Sequence, residues 1–450
     1  MRSPLTRLGV ALWWTALASL TWAQGPGDPL QGTFGDGRLT LVLQATAQGQ
    51  YAGRLVIDGQ TYPAVASGSP SRIDGRFDAP GGSFGFTASL AGDVVTLVTG
   101  STTYRLARVS AAAAPAAGAL TPGLIVSYEF AVASHPGNTG NPDARGSGAT
   151  GVNQYRVVHH DERLCVVTST DYMRYELGGP LVPSPNTGRT IVSRDGTCGE
   201  LWWPVDRLRA YTAPPDGSQR VERGPFQLPQ GGGTVEALYV RQELADTRFA
   251  RTWDLATGLL VAYSDGTGPT PAPAAVPTSS SHLMFLGARL SSRPWDPRQP
   301  LPERIAALSE LRYRATVTSG FSSGITAPMT QSNEMVLQVV ERHPAFLLLR
   351  PQGAGPDAFA LLSSHGELFL PPTAAATLQT GQRLDDDPVI GSSVRVARAD
   401  AQGVVIETQA ATFQVQSTYD AGSGLLTSER VTYTDGVTTT TIEIVLLEAR

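Results

Sequence analysis

The feature that most constrains this 450-residue chain is that its larger part is written twice. Val126–Ser134 (VSYEFAVAS) resembles Leu311–Ser319 (LRYRATVTS), and Val157–Ser169 (VVHHDERLCVVTS) parallels Val339–Pro351 (VVERHPAFLLLRP). Gly199–Pro204 (GELWWP) parallels Gly366–Pro371 (GELFLP), and Thr252–Leu260 (TWDLATGLL) parallels Thr418–Leu426 (TYDAGSGLL). Leu283–Arg289 and Ile444–Arg450 close the two series. Five matched blocks in one order mean that whatever fold one copy takes, the other takes too. The copies span 124–290 and 305–450, with a linker at 291–304.

Most blocks alternate apolar and polar residues or form short apolar runs, the pattern of strands in antiparallel sheets. Helices are expected only where proline opens a stretch, since a first helical turn does not need its missing N–H. Three places qualify: after Trp203, from Pro371, and over Pro302–Arg312 (PERIAALSELR). Copy one carries two insertions relative to copy two, at 173–189 and in the Pro/Ala/Thr tract Asp265–His282.

A second, shorter repeat lies in residues 30–109. Tyr51–Ser67 aligns without gaps to Ile73–Ser89, which places Gly53-Arg54 on Gly75-Arg76 and Tyr62 on Phe84. About seven alternating strands in so short a stretch predict a small β-barrel or sandwich. Residues 110–123, rich in Ala and Pro, read as a linker. The fold class is therefore all-β: a small N-terminal β-domain, then two tandem antiparallel β-domains with a few short helices.

The N-terminus has the form of a secretory signal. Arg2 and Arg7 precede the apolar run Leu8–Leu20, which is too short to span a bilayer, and small residues lead up to Ala23. Residues 1–23 are expected to be removed by cleavage after Ala23, which places the mature chain in the periplasm, at the cell surface or outside the cell. No later run is apolar and long enough to predict a membrane helix. All 34 basic residues are Arg, so chemistry that needs a Lys Schiff base, a P-loop Lys or a Lys general base is excluded. A net charge of -5 with no basic stripe argues against nucleic acid as a partner.

Export permits a disulfide, and Cys165 with Cys198 is the one pair available; two buried thiols are the alternative. The repeated Asp254 and Asp420, each followed by a Gly (Gly258, Gly424), read as structural turns. There the carboxylate bonds backbone N–H groups a few residues on and the Gly supplies a positive φ. A ligand or catalytic carboxylate is the competing reading. Trp202, Trp203 and Phe369 are the candidates for a binding surface, against core packing.

Other motifs are weaker. Gly320–Gly324 (GFSSG) matches the nucleophile-elbow pattern through Ser322, but a strand precedes it and no helical periodicity follows. His159 and His160 (HHDE) fall on opposite faces of a strand and read as a polar hairpin rather than a metal site. Leu384–Pro388 (LDDDP) lacks the spacing of an EF-hand and reads as a solvated turn. No catalytic residue, cofactor or metal is expected. The reading is a secreted or cell-envelope non-enzymatic β-protein that binds an envelope protein or contributes to structure. The alternative is a periplasmic carrier of a hydrophobic small molecule held in an apolar cradle, and the third reading is a hydrolase built on Ser322 or an acidic pair.

Overall fold

The computed structural model describes residues 30, 32–35, 39–47, 49–57, 60–79, 82–92, 94–109, 120–134, 147–174, 181–184, 189–229, 233–244, 247–267, 279–321, 327–355, 358–364, 368–434 and 437–450. The expected signal peptide, most of the linker after residue 109, most of the Pro/Ala/Thr tract and Ser322 lie outside them.

The N-terminal β-domain has eight strands: β1 (Gly32–Gly35), β2 (Leu39–Ala47), β3 (Gln50–Ile57), β4 (Gln60–Ser69), β5 (Arg72–Ala79), β6 (Gly82–Ala91), β7 (Val94–Thr99) and β8 (Thr102–Val109). They pair in chain order, and β1 also pairs with β8, so the sheet closes into a barrel. Alternation decides which residues fill it. Leu39, Leu41, Leu43, Leu55, Ile73, Leu97 and Leu106 are buried, with Phe34 and Phe86. A side chain at Gly75 would collide with the Phe86 ring, so the glycine of the short repeat makes room for an aromatic on the next strand.

The first large unit contains β9 (Leu124–Ser134), β10 (Ser147–His160), β11 (Cys165–Arg174), β12 (Val182–Pro183), β13 (Arg189–Ser193), α1 (Val205–Ala210), β14 (Gln219–Gln227), β15 (Thr234–Leu244), β16 (Thr247–Asp254), β17 (Leu260–Thr267) and β18 (Ser279–Leu290). A single-turn helix, α2 (Glu303–Ala306), leads into the second. That unit has β19 (Glu310–Phe321), β20 (Met329–His343), β21 (Phe346–Pro351), β22 (Ala360–Ser363), α3 (Pro372–Ala375), β23 (Arg383–Asp387), β24 (Ser392–Asp400), β25 (Gly403–Gln409), β26 (Phe413–Asp420), β27 (Leu426–Thr434) and β28 (Thr438–Ala449).

The two sheets have one topology. The first runs β12-β11-β10-β9-β18-β17-β16-β15-β14, with β13 also on β11; the second runs β22-β21-β20-β19-β28-β27-β26-β25-β24-β23. Even a register shift recurs, after Val157 in β10 and after Val339 in β20. The units differ at their edges: β11 carries both β12 and β13 where β21 carries β22, and β23 covers the β24 edge while, among the described residues, the equivalent strand β14 has no such neighbour. In each unit a short helix opened by proline lays apolar side chains on one face of the sheet, Leu208 from α1 and Ala374 and Ala375 from α3.

The helix expected over Pro302–Arg312 is shorter than its sequence suggests. α2 ends at Ala306 and β19 begins at Glu310, because the N–H groups of Ser309 and Glu310 are taken by the Arg450 carbonyl and the alternating Leu311 and Tyr313 enter the core. Tertiary pairing overrides helix propensity there.

Candidate functional site

The repeated Asp–Gly phrase ends β16 in one unit and β26 in the other, and the two turns are built alike. Asp254 Oδ1 accepts from the Ala256 N–H at 2.9 Å and Oδ2 from the Thr257 hydroxyl at 2.6 Å. Asp420 Oδ1 accepts from the Ser423 N–H at 2.5 Å and from its hydroxyl at 2.7 Å. Gly258 and Gly424 follow at φ 79° and 76°. Each glycine carbonyl accepts from the block that precedes the helix, Gly258 from Trp203 N–H and Gly424 from Leu370 N–H. The turn thereby fastens the helix-bearing connection to the sheet. The Ser423 hydroxyl and N–H groups hold the Asp420 carboxyl below its usual value.

The proposed aromatic surface is placed elsewhere. Trp202 is 3% exposed and Phe369 2% exposed, each inside its own core, so neither presents a binding surface. The indole N–H of Trp202 donates to the Thr257 carbonyl at 2.8 Å, which satisfies its one polar atom in that core. Trp203 is half-buried. It meets Trp253 and Tyr211 ring to ring, carries the Arg207 guanidinium 4.6 Å above its face, and donates to the Gly199 carbonyl. Tyr128 and Tyr313 occupy matching core positions, and their hydroxyls donate to the matching Leu260 and Leu426 carbonyls. Burial raises both phenols.

Cys165 and Cys198 form a disulfide, with Cα atoms 5.3 Å apart, in the first core. It ties the start of β11 to the connection that carries Trp202.

The acidic run Asp385–Asp387 is not a solvated turn. It lies in β23, where Asp385 and Asp387 are 4% and 5% exposed against the first unit. Arg289 of β18 reaches both, at 2.8 Å to Asp385 and 2.9 Å to Asp387. Ser292 donates its hydroxyl to Asp385, and Gln154 of β10 donates to Asp387 at 2.8 Å. Burial works to raise the Asp385 carboxyl, but Arg289 and Ser292 outweigh it and hold it low. Sequence reading missed this contact because its partners lie 96 and 98 residues apart. Arg289 stands at the end of a repeated block, which was the one available signal.

The histidines separate as strand geometry requires. His160 packs edge-on against Trp202 in the first core, and His159 points at the second unit, 4.5 Å from His343. Among the described residues no three His, Cys, Asp or Glu side chains gather as for a metal ion. No described helix is long and apolar enough to cross a membrane.

The outward face of the second sheet is polar, and Gln414, Gln416, Arg430 and Thr432 line a depression in it. Thr330, Thr318, Thr441, Thr432, Gln414, Gln409 and Ser393 stand in one row across seven strands. The adjacent row alternates charge, with Arg395 bonded to Glu407 and Arg430 beside Glu443.

No family model matches the chain, and no curated protein matches it. Solved structures show distant likeness. MucB in complex with MucA(peri) is 12% identical at a TM-score of 0.18, covering 71% of this chain and 88% of that one. The Pseudomonas aeruginosa MucA/MucB complex is 12% identical at 0.19, covering 72% and 88%. Transferrin Binding Protein B from Haemophilus parasuis is 8% identical at 0.14, covering 92% and 61%. These likenesses are too distant to carry an argument about function.

Proposed function

We propose that this chain is an exported, non-enzymatic binding protein of the cell envelope whose partner is a macromolecule. The observation that carries the reading is that equivalent positions of both units are filled by side chains. Tyr128, Trp202, Trp253 and Leu259 close one core, and their counterparts Tyr313, Phe369, Tyr419 and Leu425 close the other. A carrier would keep that space for its ligand. The duplicated scaffold instead offers outward faces, among them the polar rows of the second sheet. A polar surface that spans seven strands suits a protein partner better than a small molecule, which needs a concave and mostly apolar site.

The test places photo-crosslinking residues at Thr318 and Arg430 in the native host, alongside native mass spectrometry of the freshly purified chain. The expected result is a discrete protein adduct and a chain of polypeptide mass. A hydrophobic small molecule retained at one per chain would sink this reading in favour of the carrier. One observation supports that second reading: Val317, Phe321 and Met329 are exposed beyond the covered core of the second sheet.

A further inference from the structure

The seam between the two sheets is held at several places, among them the Tyr172 ring stacked on Phe413 and two contacts of different chemistry. One is the buried contact of Arg289 with Asp385 and Asp387, joined by Gln154. The other is a ring stack. His159 lies 4.5 Å from His343, and His343 lies 4.4 Å from Phe346 with the two planes 15° apart. Phe346 is buried among Val158, Val166, Leu348 and Leu361, a cluster drawn from both units. Gln154 and His159 are five positions apart on β10, about 16 Å along an extended strand.

We infer that this seam is a proton-sensitive hinge, with His159 and His343 as a latch that opens on mild acidification and Arg289 with its two carboxylates as the pivot.

The geometry sets the protonation state. The Ala345 N–H donates to His343 Nδ1 at 3.2 Å, so that nitrogen is an acceptor and the closed seam holds the neutral ring. A proton on Nδ1 turns an acceptor into a second donor facing the same N–H. It also places charge on a ring stacked on Phe346 and facing His159.

The charged groups around the latch do not cancel this. Asp161 is 3.0 Å from His159 Nε2. Glu341 is held across the seam by both guanidinium nitrogens of Arg194, at 3.3 and 2.5 Å. Arg342 turns away to the Ala306 and Leu308 carbonyls, and His160 turns into the first core. Desolvation, and then the nearby His159, lower His343 below its ordinary value against the opposing pull of Asp161 and Glu341.

The sign follows by linkage. The closed seam is fully favoured above about pH 6.5, the ordinary histidine value, and loses ground as pH falls through the lowered value. Each unit of lowering corresponds to a tenfold change in the closed-to-open ratio. Asp385, already held low, stays ionised throughout that window, so the pivot persists while the latch releases.

The experiment measures distance across the seam by pulsed electron resonance. Nitroxides are attached to ketone-bearing amino acids at exposed Arg248 and Glu443, which leaves the disulfide untouched. A longer-distance population should grow as pH is lowered from 7.5 to 5.5, and His343→Gln should stay closed at both. Identical distributions at both pH values, or the same change in His343→Gln, would overturn the hinge. Should that variant not fold, the wild type decides alone: a midpoint below pH 6.5 but above the carboxylate range supports the latch, and one near pH 4 overturns it.

Discussion

A side chain has no room at Gly258. The backbone there is left-handed at φ 79°, and an added Cβ would collide with the Trp203 carbonyl oxygen; Gly424 stands in the same relation to Leu370. The neighbouring Asp254 is less constrained, since its role is to accept two hydrogen bonds from groups that water could partly serve. Gly258→Ala is therefore expected to destabilise by about 3 kcal/mol or more, combining a left-handed alanine with a backbone collision. Asp254→Ala should cost only about 1–2 kcal/mol, because water can serve the exposed Ala256 N–H and only the buried Thr257 hydroxyl is left without its acceptor. Urea denaturation of the two variants checks the order, and equal losses would contradict it. The turn chemistry was legible in the sequence because acid, hydroxyl and glycine act within five residues. The packing of Trp202 was not legible. Whether adjacent tryptophans face a core or a solvent depends on the crossing of two connections, and Trp202 meets its Thr257 partner 55 residues away.

At the scale of elements, the duplication is a controlled comparison. Cys165 of β11 stands where β21 has Leu347, and both are buried at comparable depth. The second unit therefore shows that the position needs bulk, and the first adds a covalent closure over a separation of 33 residues. Cys165→Ala together with Cys198→Ala should cost about 3–4 kcal/mol of first-unit stability in the loop-entropy account, and leave the second unit's own stability unchanged. Hydrogen exchange resolved by segment is the appropriate measurement: β10, β11 and β13 should lose protection, and β24 to β26 should not. A uniform loss would mean that the units unfold as one body. That the two units share one antiparallel fold was legible from the repeats, because each matched block is a strand or a turn between strands. Two elements were not. The run Pro302–Arg312 has helical composition along its whole length, and only the carbonyl of Arg450 ends it early. The run Arg383–Asp387 has poor strand composition, and its place as an edge strand depends on neutralisation by Arg289 from the other unit.

At the scale of the whole molecule, the two copies are alike in fold and unlike in what their last residues do. Arg289 ends the final strand of the first unit inside the seam; its counterpart Arg450 is exposed and bonded to Glu448. Burying a guanidinium and two carboxylates is costly in itself, and their mutual attraction offsets that cost only while every partner is present. Arg289→Met removes the one cation and leaves Asp385 and Asp387 buried together. The expected loss is about 3–5 kcal/mol from the coupling of the units, and it should be largest at neutral pH, where both carboxylates are charged. On acidification the variant should recover part of the difference from wild type, because two uncompensated carboxyls that take up protons relieve their own repulsion. The wild type runs the other way: Asp385 is held low, so its contribution is present above the ordinary carboxylate value and is lost as pH falls through the lowered one. Replacing all three groups, with Asp385→Leu and Asp387→Leu added to Arg289→Met, should return most of the stability and flatten its pH dependence. Denaturation of the wild type, single and triple variants from pH 4 to 8 separates these cases. A triple variant as unstable as the single one would show that the contact is valued for its geometry, through Gln154 and Ser292, rather than for balanced charge.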